Sequence, residues 1–289
     1  SAVVPVGSTV EKAFLYSSTY TDGPTPDVTL DATSYSGGAW TDLGANGGLR
    51  AYRTDVTAQM ITAIGAGSAV PFNFTVYENS NNFGTDGEVL VVVYSNPLDQ
   101  ERTIAILDGF SASGGDSATI NFTSPLAGVG DAGFEALLSL GIGFGYQPSG
   151  QYSIVDDGGR TLTSSAGGQD DGGPFNGGLI TAGGLGDSSA NPDPFADDSG
   201  GEFTDDELYD LGQGNIDDPT PFLSNGLLSY TLNTENPSGD DNIFFLGLNI
   251  TAEADVIVPP PPGVPDAGAT AGLLALGFLG LQTFRRSRN

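Results

Sequence analysis

From Ala267 to Phe284 the chain runs for 18 residues without a charge, and Arg285, Arg286 and Arg288 follow at once. No other stretch restricts the possible folds as much. A helix rises about 1.5 Å per residue, so this segment reaches roughly 27 Å, enough to cross a hydrocarbon core with little to spare. The three arginines are three of only eight basic residues in the sequence, and a basic flank marks the cytoplasmic end of a span. The expectation is therefore a separate C-terminal hydrophobic helix within residues 264–289, an extracytoplasmic body over 1–255, and a spacer over 256–263. Within that spacer Pro259 to Pro262 are four consecutive prolines, which make a stiff polyproline rod.

Just ahead of the apolar segment stand Val264, Pro265, Asp266, Gly268 and Thr270. This order of proline spacer, short motif, apolar helix and terminal arginines resembles the PEP-CTERM family of protein-sorting tails, and the letters are similar to its VPDSG variant. Ala267 and Ala269 stand where that variant usually carries Ser. The resemblance covers the last 26 of 289 residues. It implies recognition by an exosortase, a membrane-embedded cysteine protease of exopolysaccharide-producing Gram-negative bacteria. Such an enzyme cuts near the motif and hands the cargo to the outer surface, so membrane attachment is transient. The alternative is an ordinary C-terminal anchor that stays in place; the order of the four features favours the sorting tail.

Gly at 44 and Pro at 18, with 16 Phe, 10 Tyr and abundant Val and Thr, favour strands joined by many turns. The expected class is all-β, a jelly-roll-like β-sandwich with long acidic loops and one or two short helices, in one elaborated domain. Residues 1–264 hold 35 of the 36 acids and five of the eight bases. Such a field repels nucleic acid and anionic lipid and attracts divalent cations or basic partners. The sequence contains no His and no Cys, which excludes thiol nucleophiles, serine–histidine pairs and zinc sites of the Cys/His kind. Ser1-Ala2-Val3-Val4-Pro5 shows neither an initiating Met nor a basic and apolar leader, so a mature or trimmed start is expected.

Along the chain, Thr9–Tyr20 alternates as a strand, with Val10, Lys12, Phe14 and Tyr16 on one face and Glu11, Ala13 and Leu15 on the other. Lys12, the only lysine, is expected to be exposed or to lie on an edge strand. A short strand follows at Val28–Leu30. Asp55 to Ile64 reads as a helix, because Val56, Met60 and Ile64 recur at helical spacing and Gly65 follows. Phe72 to Tyr77 alternates like a half-exposed strand, whereas Glu88 to Tyr94 is a continuous apolar run expected at the centre of a sheet. Further strands are expected at Arg102–Phe110 and Ser117–Phe122, and Phe134–Tyr146 is expected as a helix turning into a strand. Thr204 and Glu207 form a capping box for a two-turn helix ending at Gly212. Leu227–Asn233 and Ile243–Ile250 close the domain, the second as a central strand.

Between Asp156 and Asp241 there are 18 acids against one base, Arg160. Calcium is the strongest candidate ligand there, since it takes six to eight hard oxygens on turning backbone. Asp193, Asp197 and Asp198, with Asp205, Asp206 and Glu207, are the candidate ligands; Asp156-Asp157, Asp170-Asp171, Asp217-Asp218 and Asp240-Asp241 are lesser ones. An EF-hand register starting at Asp193 fails, because Phe195 falls where its third position needs oxygen. A solvated acidic loop is the competing reading. Gly115-Asp116-Ser117 has the letters of an esterase block but no histidine base, and Asp198-Ser199-Gly200 those of an aspartic protease without a second copy. A carboxylate pair for glycoside hydrolysis stays open. Trp40, the single tryptophan, is a candidate sugar contact in a Gly-rich turn, though a lone Trp is more often a packing anchor. Asn73, Asn121 and Asn249 begin Asn-x-Thr sequons that reflect strand composition more than glycosylation.

These readings point to an exported, non-enzymatic surface or matrix protein whose acidic loops meet exopolysaccharide or neighbouring copies through calcium. The alternatives are a secreted carbohydrate-binding or glycoside-cleaving protein and a self-assembling filament subunit.

Overall fold

The structure is a computed structural model, and it describes residues 1–20, 25–79, 84–144, 153–166, 180–184, 208–214, 219–237, 239 and 242–257. In chain order the first strands are β1 (Thr9–Tyr20), β2 (Val28–Leu30), β3 (Thr33–Tyr35), β4 (Thr41–Asn46) and β5 (Leu49–Asp55). Helix α1 (Thr57–Ile64) leads to β6 (Val76–Glu78), β7 (Thr85–Ser95), β8 (Thr103–Asp108), β9 (Asp116–Phe122) and β10 (Ala136–Gly143). The remaining strands are β11 (Ser153–Asp156), β12 (Thr161–Ala166), β13 (Ile180–Ala182), β14 (Tyr209–Asp210), β15 (Ser229–Glu235), β16 (Asn242–Ile250) and β17 (Ala254–Ile257). Residues Ser1–Val256 form one compact unit.

The fold is all-β, as composition implies, but it is not a two-sheet sandwich. The described strands form four sheets. Sheet I has the order β4-β5-β1-β7, sheet II β13-β10-β16-β8 with β14 also on β10, sheet III β12-β11-β15-β9-β17, and sheet IV β3-β2-β6. Three apolar clusters separate the layers. Val10, Ala13 and Leu15 of β1 pack with Val28, Leu30, Trp40, Met60 and Ile64, so α1 and sheet IV cover one face of sheet I. Tyr16 of β1 and Ala51 of β5 meet Phe244 and Phe245 of β16, joining the other face of sheet I to sheet II. Leu138, Leu140, Leu246 and Leu248 then face Ile120, Val155 and Leu232 across the gap between sheets II and III. Two sheets with apolar residues on both faces need a layer on each side, which is why the expected sandwich becomes a stack.

A local irregularity sharpens the contact between sheets I and II. Gly141 pairs with Phe245 but Ile142 pairs with Ile243, so Phe244 is an extra residue in β16. The bulge turns consecutive phenylalanines toward the same neighbour. Their bulk is accommodated by Gly141, where an added Cβ would lie 2.9 Å from the Phe244 ring.

Helix α1 starts two residues later than its spacing predicts. Asp55 Oδ1 accepts the Thr57 backbone N–H at 2.8 Å, so the side chain caps the helix from outside. Thr57 Oγ1 accepts the Ala13 N–H at 3.0 Å and fastens α1 to β1.

Elsewhere the expected elements move for identifiable reasons. Glu88–Tyr94 lies in β7, which pairs with β1 alone among the described residues and so borders its sheet instead of centring it. Its run is apolar because Leu90 and Val92 pack into one core and Val89 and Val91 into another. The helical portion expected from Phe134 is strand from Ala136 onward, where Ala136, Leu138, Leu140 and Ile142 alternate inward. Phe72 makes only an isolated bridge to Ala2, and regular pairing begins at Val76. The end of the helix expected at Gly212 is instead the short strand β14 followed by a turn; Thr204 and Glu207 lie outside the described residues. In β1 a register shift between Val10 and Lys12 puts Val10 with Ala13 and Leu15, not with Phe14. Lys12 is exposed, 3.5 Å from Asp55.

Candidate functional site

The residues that sequence reasoning singled out are distributed unevenly over the structure. Val264, Pro265, Asp266, Gly268 and Thr270, the span to Phe284, and Arg285, Arg286 and Arg288 lie outside the described residues. So do Asp193, Asp197, Asp198, Asp205, Asp206 and Glu207. Among the described residues no helix is long and apolar enough to cross a membrane, and no group of three or more acidic side chains is arranged to hold a metal ion.

Trp40 is corrected by its surroundings. The indole is 7% exposed within the cluster formed by α1 and sheets I and IV. Its Nε1–H donates to the Tyr35 carbonyl at 3.2 Å. A buried tryptophan with its polar atom satisfied is a packing anchor, and its face is not offered for sugar stacking.

Asp156 and Asp157 are described, and their oxygens serve a turn. Asp156 Oδ1 accepts from Gly158 N–H at 2.6 Å and from Asn233 Nδ2 at 2.9 Å. Asp157 Oδ1 accepts from the N–H groups of Gly159 and Arg160 at 3.0 and 2.6 Å. Arg160 in turn donates to the Thr220 carbonyl at 2.8 Å and lies over the Phe222 ring, 3.7 Å from its centroid. This is loop-building chemistry: local acceptors hold the backbone between β11 and β12 in its bend.

Two polar groups escape a sequence reading. Tyr16 Oη donates to Asp108 Oδ2 at 3.1 Å, and the same oxygen accepts from Arg53 Nη1. Burial, with the adjacent carboxylate, pushes the Tyr16 phenol well above its usual range. Tyr16 and Arg53 are cross-strand partners in sheet I, while Asp108 belongs to sheet II. The second group centres on Glu88, which accepts from Ser17 Oγ at 3.2 Å. Burial and the nearby Glu78 raise its carboxyl from an ordinary value of 4.5 to about 7. Next to it, Asp86 Oδ2 accepts from the Phe144 N–H at 2.6 Å. A glutamate opening the Val89–Tyr94 run was the one available signal, since an acid adjoining a continuous apolar strand is drawn toward the core with it.

Comparison with known families supplies the functional assignment that the described geometry does not. Residues 263–288 match the VPDSG-CTERM motif. The protein thus ends in a PEP-CTERM-like C-terminal sorting signal of the VPDSG variant. A signal of this kind marks an exported, membrane-associated precursor and is consistent with processing by an exosortase-type membrane enzyme. No curated protein and no solved structure matches the chain.

Proposed function

We propose that this protein is an exported cargo, cut from its tail by an exosortase-type protease and retained at the cell surface or in the extracellular matrix in a non-enzymatic, structural or adhesive role. The observation that carries this reading is the match of residues 263–288 to the VPDSG-CTERM motif. The Ala267–Phe284 segment holds the precursor in the membrane, the arginines behind it stay on the cytoplasmic side, and the proline spacer stands the body off the bilayer. Calcium assists by bridging the acidic loops to exopolysaccharide or to neighbouring copies. The density of carboxylates supports that part, with 18 acids against one base between Asp156 and Asp241.

The decisive experiment is intact-mass analysis of the protein recovered from its native host. Processing predicts a species lacking the residues that follow the motif. A surface-retained species of full length would sink the sorting reading and leave a plain anchor.

A further inference from the structure

A groove of about 680 Å³ runs beside β7. One wall is the β7 segment from Val91 to Ser95, and the floor is formed by Ile104 and Ile106 of β8 with Phe245 and Gly247 of β16. The floor residues share one face of sheet II. Their alternate neighbours Ala105, Leu107, Leu246 and Leu248 pack on the opposite side, toward sheet III. Among the described residues sheet I therefore stops at β7 while the apolar face of sheet II continues beyond it. Ile104 is 41% exposed there.

The wall is a hydrogen-bonding edge. Among the described residues β7 pairs only with β1, so about half of the backbone N–H and C=O groups between Val91 and Ser95 face the groove. Exposed edges are normally blunted by lysine, proline, a bulge or brevity. Strand β7 has 11 residues and one bulge, at Asp86, where Ser18 pairs with Gly87 and Thr19 with Thr85; beyond it, from Val89 to Ser95, the strand carries no charge and no proline. One further strand would lie about 4.8 Å from β7 and about 10 Å above sheet II, the ordinary spacings of a sheet and of a sheet pair. It would close the edge and cover Ile104 in one step.

The rim decides what kind of strand fits. Asp99, Glu101 and Glu135 line the groove, and the one base beside them, Arg102, donates to Glu135 at 2.5 Å. The whole chain carries a net charge of −28. A second copy would bring the same sign to this rim. We propose that the groove beside β7 is a docking site for an extended, alternately apolar segment of another protein that carries basic residues at its ends and adds to sheet I as a fifth strand. The inference does not depend on the sorting reading.

Hydrogen exchange of the full chain tests it, with a synthetic peptide of alternating valine and threonine ended by lysines as the probe. Exchange across Val89–Ser95 is expected to slow at least about tenfold on adding the peptide, as for backbone drawn into a sheet. The glutamate-ended counterpart and a proline-interrupted version leave it unchanged. Ile104→Lys, at an exposed position, keeps the thermal midpoint and abolishes the slowing. The proposal is overturned if the lysine-ended peptide has no effect, or if all three peptides act alike. It is also overturned if the segment is already protected in the free monomer, or if protection appears only with self-association, which would make a second copy the occupant.

Discussion

The phenol of Tyr16 in β1 donates a hydrogen bond across 3.1 Å to the carboxylate of Asp108 in β8, joining a strand of sheet I to a strand of sheet II. Arg53 of β5 reaches the same oxygen and lies over the Phe14 ring, 4.8 Å from its centroid. Around this polar point the contact between the two sheets is aromatic, with Tyr16 rings 5.8 and 5.4 Å from those of Phe244 and Phe245. Removing the two ends of the bond should have unequal effects. Tyr16→Phe deletes one donor while Asp108 keeps Arg53, at a cost of about 1 kcal/mol. Asp108→Ala strands both donors and costs about 2 to 3 kcal/mol. Urea unfolding midpoints of the two variants check the order; equal losses would mean that the aspartate acts only through the tyrosine.

Glu88 gives the stability a pH dependence of known sign. Its folded carboxyl titrates near 7 against 4.5 ordinarily, so between those values the folded state holds a proton that the unfolded chain has released. Stability from this group falls as pH rises through that window and is level above it. Glu88→Gln keeps the hydrogen-bonding shape without the charge. The variant should gain on the wild type as pH increases from about 4.5 to about 7; a parallel pair of Tm curves would contradict it.

Gly141 is the position where an extra methyl group meets the aromatic contact directly. An added Cβ would sit 2.9 Å from the ring of Phe244, a residue only 1% exposed. Gly141→Ala should destabilise by about 1 to 3 kcal/mol through overpacking. Thermal denaturation checks it, and a loss below a few tenths would mean that β10 and β16 separate freely.

Trp40 reports on its own burial. As the only tryptophan, it should emit as a buried indole in the native protein and shift to the red on unfolding. Trp40→Ala empties a core position and should cost about 3 kcal/mol or more. Native emission typical of a solvated indole would overturn the packing role assigned here.

For calcium, the thermal midpoint should rise in millimolar Ca²⁺ and return to its starting value with chelator, by mass action on the folded state. Replacing Asp193, Asp197 and Asp198 with asparagine should reduce that response. Indifference of the wild type to both additions would remove the metal from the proposed function.

The calcium candidates and the sorting tail illustrate how unevenly a sequence reports a site. The tail was legible because it combines linear features, a motif, an uncharged span and terminal arginines, and such features need no partner elsewhere in the chain. A metal site is a meeting of distant oxygens, and an abundance of Asp does not say which of them converge. The cross-sheet group of Tyr16, Arg53 and Asp108 was invisible for the same reason, since 92 residues separate the tyrosine from the aspartate.

From the sequence alone came the strand-rich class, β1 from Thr9 to Tyr20 and the central place of β16. The absence of histidine and cysteine chemistry and the sorting signal came from the same source. Alternation and composition act through each residue's own side chain, and these properties are local. Among the described residues, the stacking of four sheets, the bulge that turns Phe244 beside Phe245, and the place of β7 at the border of its sheet were decided only in the tertiary structure. An apolar run records that both faces of a strand are covered. It carries no record of which backbone lies alongside, because edge hydrogen bonds are made by peptide groups that every residue shares.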